Sequence, residues 1–168
     1  MTLLTLTRRR LMVAFGACCG VVAVARSARA QESALPRPAS LPGAAAASAR
    51  LSQPLVVLVS LPGCPFCERI RRAHLLPLQR EQGQGVVQLD LGAATSVIDF
   101  DGMQRSHDAV VRSWRVTLAP TVLMFDAAGT EIAERLVGAG LADFYAAYLD
   151  QRLQTARAAL APPLPPRL

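Results

Sequence analysis

Cys64 and Cys67, in the run Gly63-Cys64-Pro65-Phe66-Cys67, carry the most reactive side chains of this chain. Thiols at this spacing can open and close a disulfide, hold a static bridge, or supply half of a tetrahedral metal site. The local pattern suits the first use. An apolar run ends just before Cys64 and a helix is expected from Pro65, so Cys64 falls at a helix N-terminus. There the unpaired amides and the helix dipole favour an anion, and a thiolate is stabilised. Cys67 lies about one turn further along, within reach of a disulfide. Pro65 has a φ suited to the first helical turn, where its missing N–H costs nothing. Glu68 and Arg72 form an i, i+4 pair. A static bridge over so short a loop restrains the unfolded chain weakly. Tetrahedral zinc needs two more ligands, and the chain has only two histidines, His74 and His107. His74 sits two turns beyond Cys67 on the same helix, about 10 Å away along the axis at 1.5 Å per residue. His107 has no such bar, so a metal reading through Cys64, Cys67 and His107 stays open beside the redox reading.

The elements that must position these residues alternate between strand and helix. Leu55 to Val59 is a continuous apolar run, as in a strand covered on both faces. A helix follows from Pro65 to Arg80, with a kink expected at Pro77. Val86 to Leu91 reads as a second strand, residues 92–105 as irregular, and Ser106 to Trp114 as a helix. Thr121 to Phe125 and Glu131 to Val137 read as a hairpin turning at Gly129. The closing helix runs from Leu141 to Ala158, with Leu141, Phe144, Tyr145, Tyr148, Leu149 and Leu153 as its apolar stripe. The order β-α-β-α-β-β-α implies an α/β fold with a central mixed sheet and helices on both faces. Trp114 reads as core.

The chain has 168 residues, 52% of them hydrophobic and 18% charged, which suffices for a core and excludes a disordered chain. The net charge of +6 is misleading. Residues 1–30 hold five arginines and no acid, and the remainder holds 13 basic and 12 acidic side chains. A polybasic nucleic-acid surface is therefore not expected on the folded part. In residues 1–30, Arg8-Arg9-Arg10 precedes an uncharged run from Leu11 to Ala25, and Ala28-Arg29-Ala30 follows. That is the pattern of a secretory signal cleaved after Ala30. The alternative, an uncleaved anchor, requires a longer apolar run. Thr7 to Met12 resembles the twin-arginine export motif, with Leu11 in place of Phe and Val13 in place of Lys. Cys18 and Cys19 lie within this segment, so cleavage leaves Cys64 and Cys67 as the only cysteines. Residues 31–50, rich in Ala, Pro and Ser, read as a flexible linker. Residues 51–160 form one domain and 161–168 a Pro-rich tail.

Three features in this order resemble the thioredoxin-like superfamily, and within it the exported bacterial thiol–disulfide oxidoreductases. They are the strand leading into Cys64-Pro65-Phe66-Cys67 and a helix, Ala119-Pro120-Thr121 opening an apolar strand, and Gly129 with Val137-Gly138-Ala139 before the final helix. The resemblance spans residues 52–155. It implies that Cys64 is the nucleophile forming a mixed disulfide with substrate and that Cys67 is the buried resolving thiol. It also implies a cis peptide at Pro120, with Ala119, Pro120 and Thr121 pairing with an extended substrate strand. Three departures stand out. Leu58 occupies the position of the family's buried acid, Gly63 replaces a Trp, and Pro65-Phe66 replaces Gly-Pro. Glu68 is the substitute proton acceptor to consider.

These readings lead to periplasmic thiol–disulfide exchange with protein thiols or disulfides and a redox partner. The chain is expected to act as a monomer, off the membrane after signal cleavage and away from nucleic acid. Its only redox group would be the Cys64–Cys67 disulfide, with no cofactor and no metal. The alternatives are an exported copper- or zinc-binding module and a glutathione-dependent, glutaredoxin-like enzyme.

Overall fold

A computed structural model of the chain describes residues 34–140 and 144–161. The signal segment, most of the C-terminal tail and Leu141 lie outside the described residues. The folded unit begins at Leu35. Four strands form its central sheet: β1 (Leu55–Ser60), β2 (Val86–Asp90), β5 (Thr121–Phe125) and β6 (Leu136–Val137). Their order is β2-β1-β5-β6. β1 runs parallel to β2 and antiparallel to β5, and β5 is antiparallel to β6. This is the mixed sheet expected from the alternating pattern.

Every residue of β1, β2 and β5 is buried, because helices cover both faces. Side chains alternate across a strand, so each strand feeds two cores. Val56, Leu58, Val122 and Met124 meet Ile70, Leu75, Leu149 and Leu153 on one face. Leu55, Val57, Val59, Leu123 and Phe125 meet Leu41, Ala45, Val110 and Val111 on the other. Trp114, expected in the core, is half-buried and packs against this second core: its ring lies 4.8 Å from that of Phe125 and 6.2 Å from that of Phe100.

The expected linker is not a tether throughout. Residues Leu41–Ala49 form helix α1, with Ser40 as its N-cap accepting the Gly43 N–H at 3.2 Å. Its alanines are strong helix formers, and Leu41, Ala45 and Ser48 are buried. Its low amphipathic contrast hides it from a periodicity search. Ahead of it, Leu35 is buried in the core, and the Pro36 carbonyl accepts the Gln88 N–H at 2.9 Å. The Ala39 carbonyl accepts the Ile98 N–H at the same distance. Residues 35–40 are therefore a strap laid along the outer edge of β2.

The long helix after Cys64 is split into α2 (Pro65–Ile70), a π-helical turn (Arg71–Leu75) and α3 (Leu76–Gln82). Pro77 has no N–H to give to the preceding turn, and the ladder widens there instead of continuing. The stretch read as irregular contains a short hairpin, β3 (Ser96–Ile98) with β4 (Gln104–Ser106), followed by α4 (His107–Ser113). The last strand is shorter than expected. Only Leu136–Val137 pair as a strand, with an isolated bridge between Glu131 and Phe125. Gly129 turns this hairpin at φ +82°, and a Cβ there would lie 2.4 Å from the Phe100 ring. The closing helix α5 (Tyr145–Leu160) buries Tyr145, Leu149, Leu153 and Ala156. Phe144 and Tyr148, expected in its apolar stripe, are 56% and 47% exposed. Among the described residues, no helix is long and apolar enough to cross a membrane.

Because Leu41 is fully buried beneath the sheet, Leu41→Ala is expected to cost about 2–5 kcal/mol in urea unfolding. A loss below ~0.5 kcal/mol, typical of surface substitutions, would instead mark residues 41–49 as dispensable.

Candidate active site

β1 ends at Ser60, and Leu61, Pro62 and Gly63 carry the chain off the sheet. Gly63 has φ +72°, a backbone state that side-chain-bearing residues rarely adopt, and it aims Cys64 at the start of α2. Cys64 is the N-cap, and its Sγ accepts the Cys67 N–H at 3.1 Å. Pro65 occupies the first helical turn, as its ring geometry favours. Cys64 and Cys67 are joined by a disulfide, with Cα atoms 5.3 Å apart. Cys67 is fully buried, whereas Cys64 is partly exposed at the mouth of a cleft. The two halves of the bond thus differ in exposure. Phe66, between them, is 52% exposed, and the Arg69 guanidinium lies 5.7 Å from its ring centroid.

The Ala119–Pro120 peptide is cis, and Thr121 begins β5. Thr121 pairs with Val59 on β1 and with Val137 on β6, so Pro120 lies at the sheet end from which the Cys64 loop departs. The Pro120 carbonyl accepts the Gly138 N–H at 2.8 Å, and the Leu118 carbonyl accepts the Thr121 hydroxyl at 2.7 Å.

The cleft beside Cys64 has a volume of about 370 Å³ and a charged floor. Glu68, the candidate proton acceptor, accepts hydrogen bonds from both Arg71 and Arg72 and is tied into an ion-pair cluster. Arg71 also donates to Gln88 Oε1 at 2.9 Å and to Ser60 Oγ at 3.2 Å. Gln88 Nε2 donates to Asp90 Oδ1 at 2.5 Å, and Arg37 Nε donates to Asp90 Oδ2 at 2.6 Å. Ser60, Gln88 and Asp90 are buried. Leu58, where the family's acid would stand, lies in the apolar layer, and Asp90 on the neighbouring strand is the buried carboxylate beside this cleft.

Sequence reasoning missed Arg37, Ser60, Gln88 and Asp90. The visible signal was the run Val86-Val87-Gln88-Leu89-Asp90, a strand with polar residues where both faces are covered. Arg37 gave no signal, because its partner lies 53 residues away.

His107 opens α4, fully buried, and its Nδ1 accepts the Asp90 N–H at 3.2 Å. Burial pushes its pKa below the ordinary 6.5, the Asp90 carboxylate opposing and Arg37 reinforcing that shift. Burial also lowers that of His74, against the opposing charge of Asp150. Among the described residues, no three His, Cys, Asp or Glu side chains are grouped so as to hold a metal ion.

The family model for the thioredoxin-like domain matches residues 42–153. The chain belongs to this family. The match begins inside α1, which places that helix in the domain. Similar solved structures include mitochondrial thioredoxin 3 of Saccharomyces cerevisiae in its oxidised form, at 16% identity and a TM-score of 0.46, covering 73% of this chain and 96% of that one. The oxidised C-terminal domain of DsbD from Neisseria meningitidis matches at 19% identity and 0.47, covering 66% and 90%. A thioredoxin-fold protein from Helicobacter pylori matches at 14% identity and 0.45, covering 66% and 83%. No curated protein sequence matches the chain. With its Cys64–Cys67 disulfide at the helix start, this thioredoxin-like protein is a thiol–disulfide oxidoreductase.

The lowered pKa of His107 sets the sign of a pH effect. In the unfolded chain the imidazole takes up a proton at a higher pH than in the fold. Stability from the neutral form is complete above 6.5 and declines as pH falls toward the lower folded value. The melting temperature is therefore expected to fall between about pH 7.5 and about 5.5. His107→Asn, whose amide oxygen can still accept the Asp90 N–H, should flatten that slope. An unchanged slope in this variant would contradict the assignment.

Proposed function

We propose that the protein exchanges disulfides with extended protein substrates in the periplasm, acting as a monomer. The observation that carries this reading is the asymmetric pair: a partly exposed Cys64 capping α2, bonded to a fully buried Cys67. A substrate thiolate attacks Cys64 Sγ, the Cys64–Cys67 bond breaks, and Cys67 leaves as a thiolate that then takes up a proton. A second substrate thiolate attacks the substrate sulfur of this mixed disulfide and expels Cys64 as a thiolate. The substrate has lost two electrons and the protein has gained them. Run in reverse, the same steps reduce a substrate disulfide, with Cys64 as nucleophile and Cys67 as resolving thiol.

The surroundings support a polypeptide substrate. Leu61 precedes the pair and Phe66 lies between its cysteines, and they are 45% and 52% exposed. Leu118 and Val137, at the same end of the sheet, are 52% and 57% exposed. Apolar side chains exposed in one region favour contact with a partner. Ala119, Pro120 and Thr121 would offer main chain to an extended strand beside the cysteines. The periplasmic part of the proposal is supported by the basic-apolar-small pattern of residues 1–30. It also fits the compartment in which a disulfide persists.

Cys64→Ser is expected to reduce exchange with a protein dithiol to the uncatalysed rate. Cys67→Ser should instead accumulate a mixed disulfide at Cys64, seen as a mass increase that a reductant removes. Full exchange by Cys64→Ser, or trapping at Cys67, would contradict the assigned roles.

A further inference from the structure

We propose that the Arg37–Asp90 ion pair, brought to the cleft by the N-terminal strap, sets the stability of the Cys64 thiolate and so the redox equilibrium of the Cys64–Cys67 pair. The inference rests on the thiol–disulfide reading of that pair. Cys64, Arg37 and Asp90 line one cleft. The Asp90 side chain is only 9% exposed, so its charge is poorly screened by water and needs a fixed partner. That partner does not come from a neighbouring strand or helix. It comes from Pro36-Arg37-Pro38, in which two prolines restrict the backbone on either side of the arginine. The strap itself is anchored by buried Leu35 and by its hydrogen bonds to Gln88 and Ile98. Gln88 grips the other carboxylate oxygen, so Asp90 is held from both sides.

The other charges lining the cleft, Glu68 and Arg71, pair with each other, and Glu68 also binds the exposed Arg72, which does not line the cleft. The cleft therefore presents two balanced pairs, and loss of one member of either pair leaves a net charge facing Cys64. Reduction puts a negative charge on Cys64. Two glutathione thiols supply two electrons and become glutathione disulfide while the Cys64–Cys67 bond breaks. One of their protons passes to Cys67 and the other to solvent, leaving Cys64 as the thiolate. An unbalanced carboxylate disfavours that product, and an unbalanced guanidinium favours it. Arg37 and Asp90 act on the reacting sulfur through the field of the cleft, as positioning residues.

The test is the equilibrium of the exported form, residues 31–168, with a glutathione redox buffer at fixed pH, read by mass after alkylation. Arg37→Gln is expected to move the equilibrium toward the disulfide by about threefold, and Asp90→Asn to move it toward the dithiol by a similar factor. Arg37→Lys, which keeps the charge, should stay near wild type, and the double variant Arg37→Gln/Asp90→Asn should return close to it. Merely structural damage would not give opposite signs that cancel. Shifts of the same sign, equal shifts for Arg37→Gln and Arg37→Lys, or no shift would overturn the tuning role. If Asp90→Asn fails to fold, the two Arg37 variants decide the matter. A wild-type protein that never equilibrates with glutathione would overturn the exchange reading itself, and the tuning role with it.

Discussion

A helix that starts where a fully buried strand leaves the sheet has backbone amides with no intrahelical partner and nowhere else to turn. Here Cys64 caps one of those amides, the Cys67 N–H, with sulfur, and much of the molecule serves that junction. β1 is buried along its whole length, so it cannot shift without disturbing both cores. Gly63, at positive φ, turns the chain sharply enough for Cys64 to become the cap. The same helix that favours charge on Cys64 buries Cys67, whose thiol meets an apolar interior instead. One bond thus joins two sulfurs in different environments, Cys64 partly exposed and Cys67 buried.

Around the junction, charge is handled by pairing. Ser60, Gln88 and Asp90 stand on the helix-α2 side of strands that are otherwise apolar, and each is tied to a guanidinium or to a neighbour that is. The network links β1, β2, the π-helical turn and the N-terminal strap, elements far apart in sequence. A buried polar network of this kind costs stability if any member is left unmatched. The strap is therefore a structural part of the active region, despite a composition that resembles a linker.

Much of the fold was legible in the sequence, and the parts that were not have specific causes. Leu55 to Val59 and Thr121 to Phe125 were visible as strands because burial on both faces favours mostly apolar residues, and Val86 to Leu91 showed through its apolar residues despite Gln88 and Asp90. Cys64, Cys67 and Pro65 were visible because a capping cysteine with proline in the first turn is a local arrangement. Helix α1 was not visible, since an alanine-rich helix carries little contrast between its faces; Ser40 before Leu41-Pro42 was the available clue. The exposure of Phe144 and Tyr148 was hidden because a stripe at spacings of three and four does not say how wide the covering surface is. The Arg37–Asp90 pair depends on where the strap lands on the edge of β2, which no local pattern specifies.

The central claim is that the start of α2 makes Cys64 a stabilised thiolate while Cys67 stays sheltered. The most direct measurement is the rate of alkylation of each cysteine in the reduced protein as a function of pH, resolved by peptide mass. Cys64 is expected to react with a midpoint clearly below the ~8.5 of a free cysteine, and Cys67 to react slowly throughout. Equal reactivity of the two, or a Cys64 midpoint at the free-cysteine value, would contradict the account.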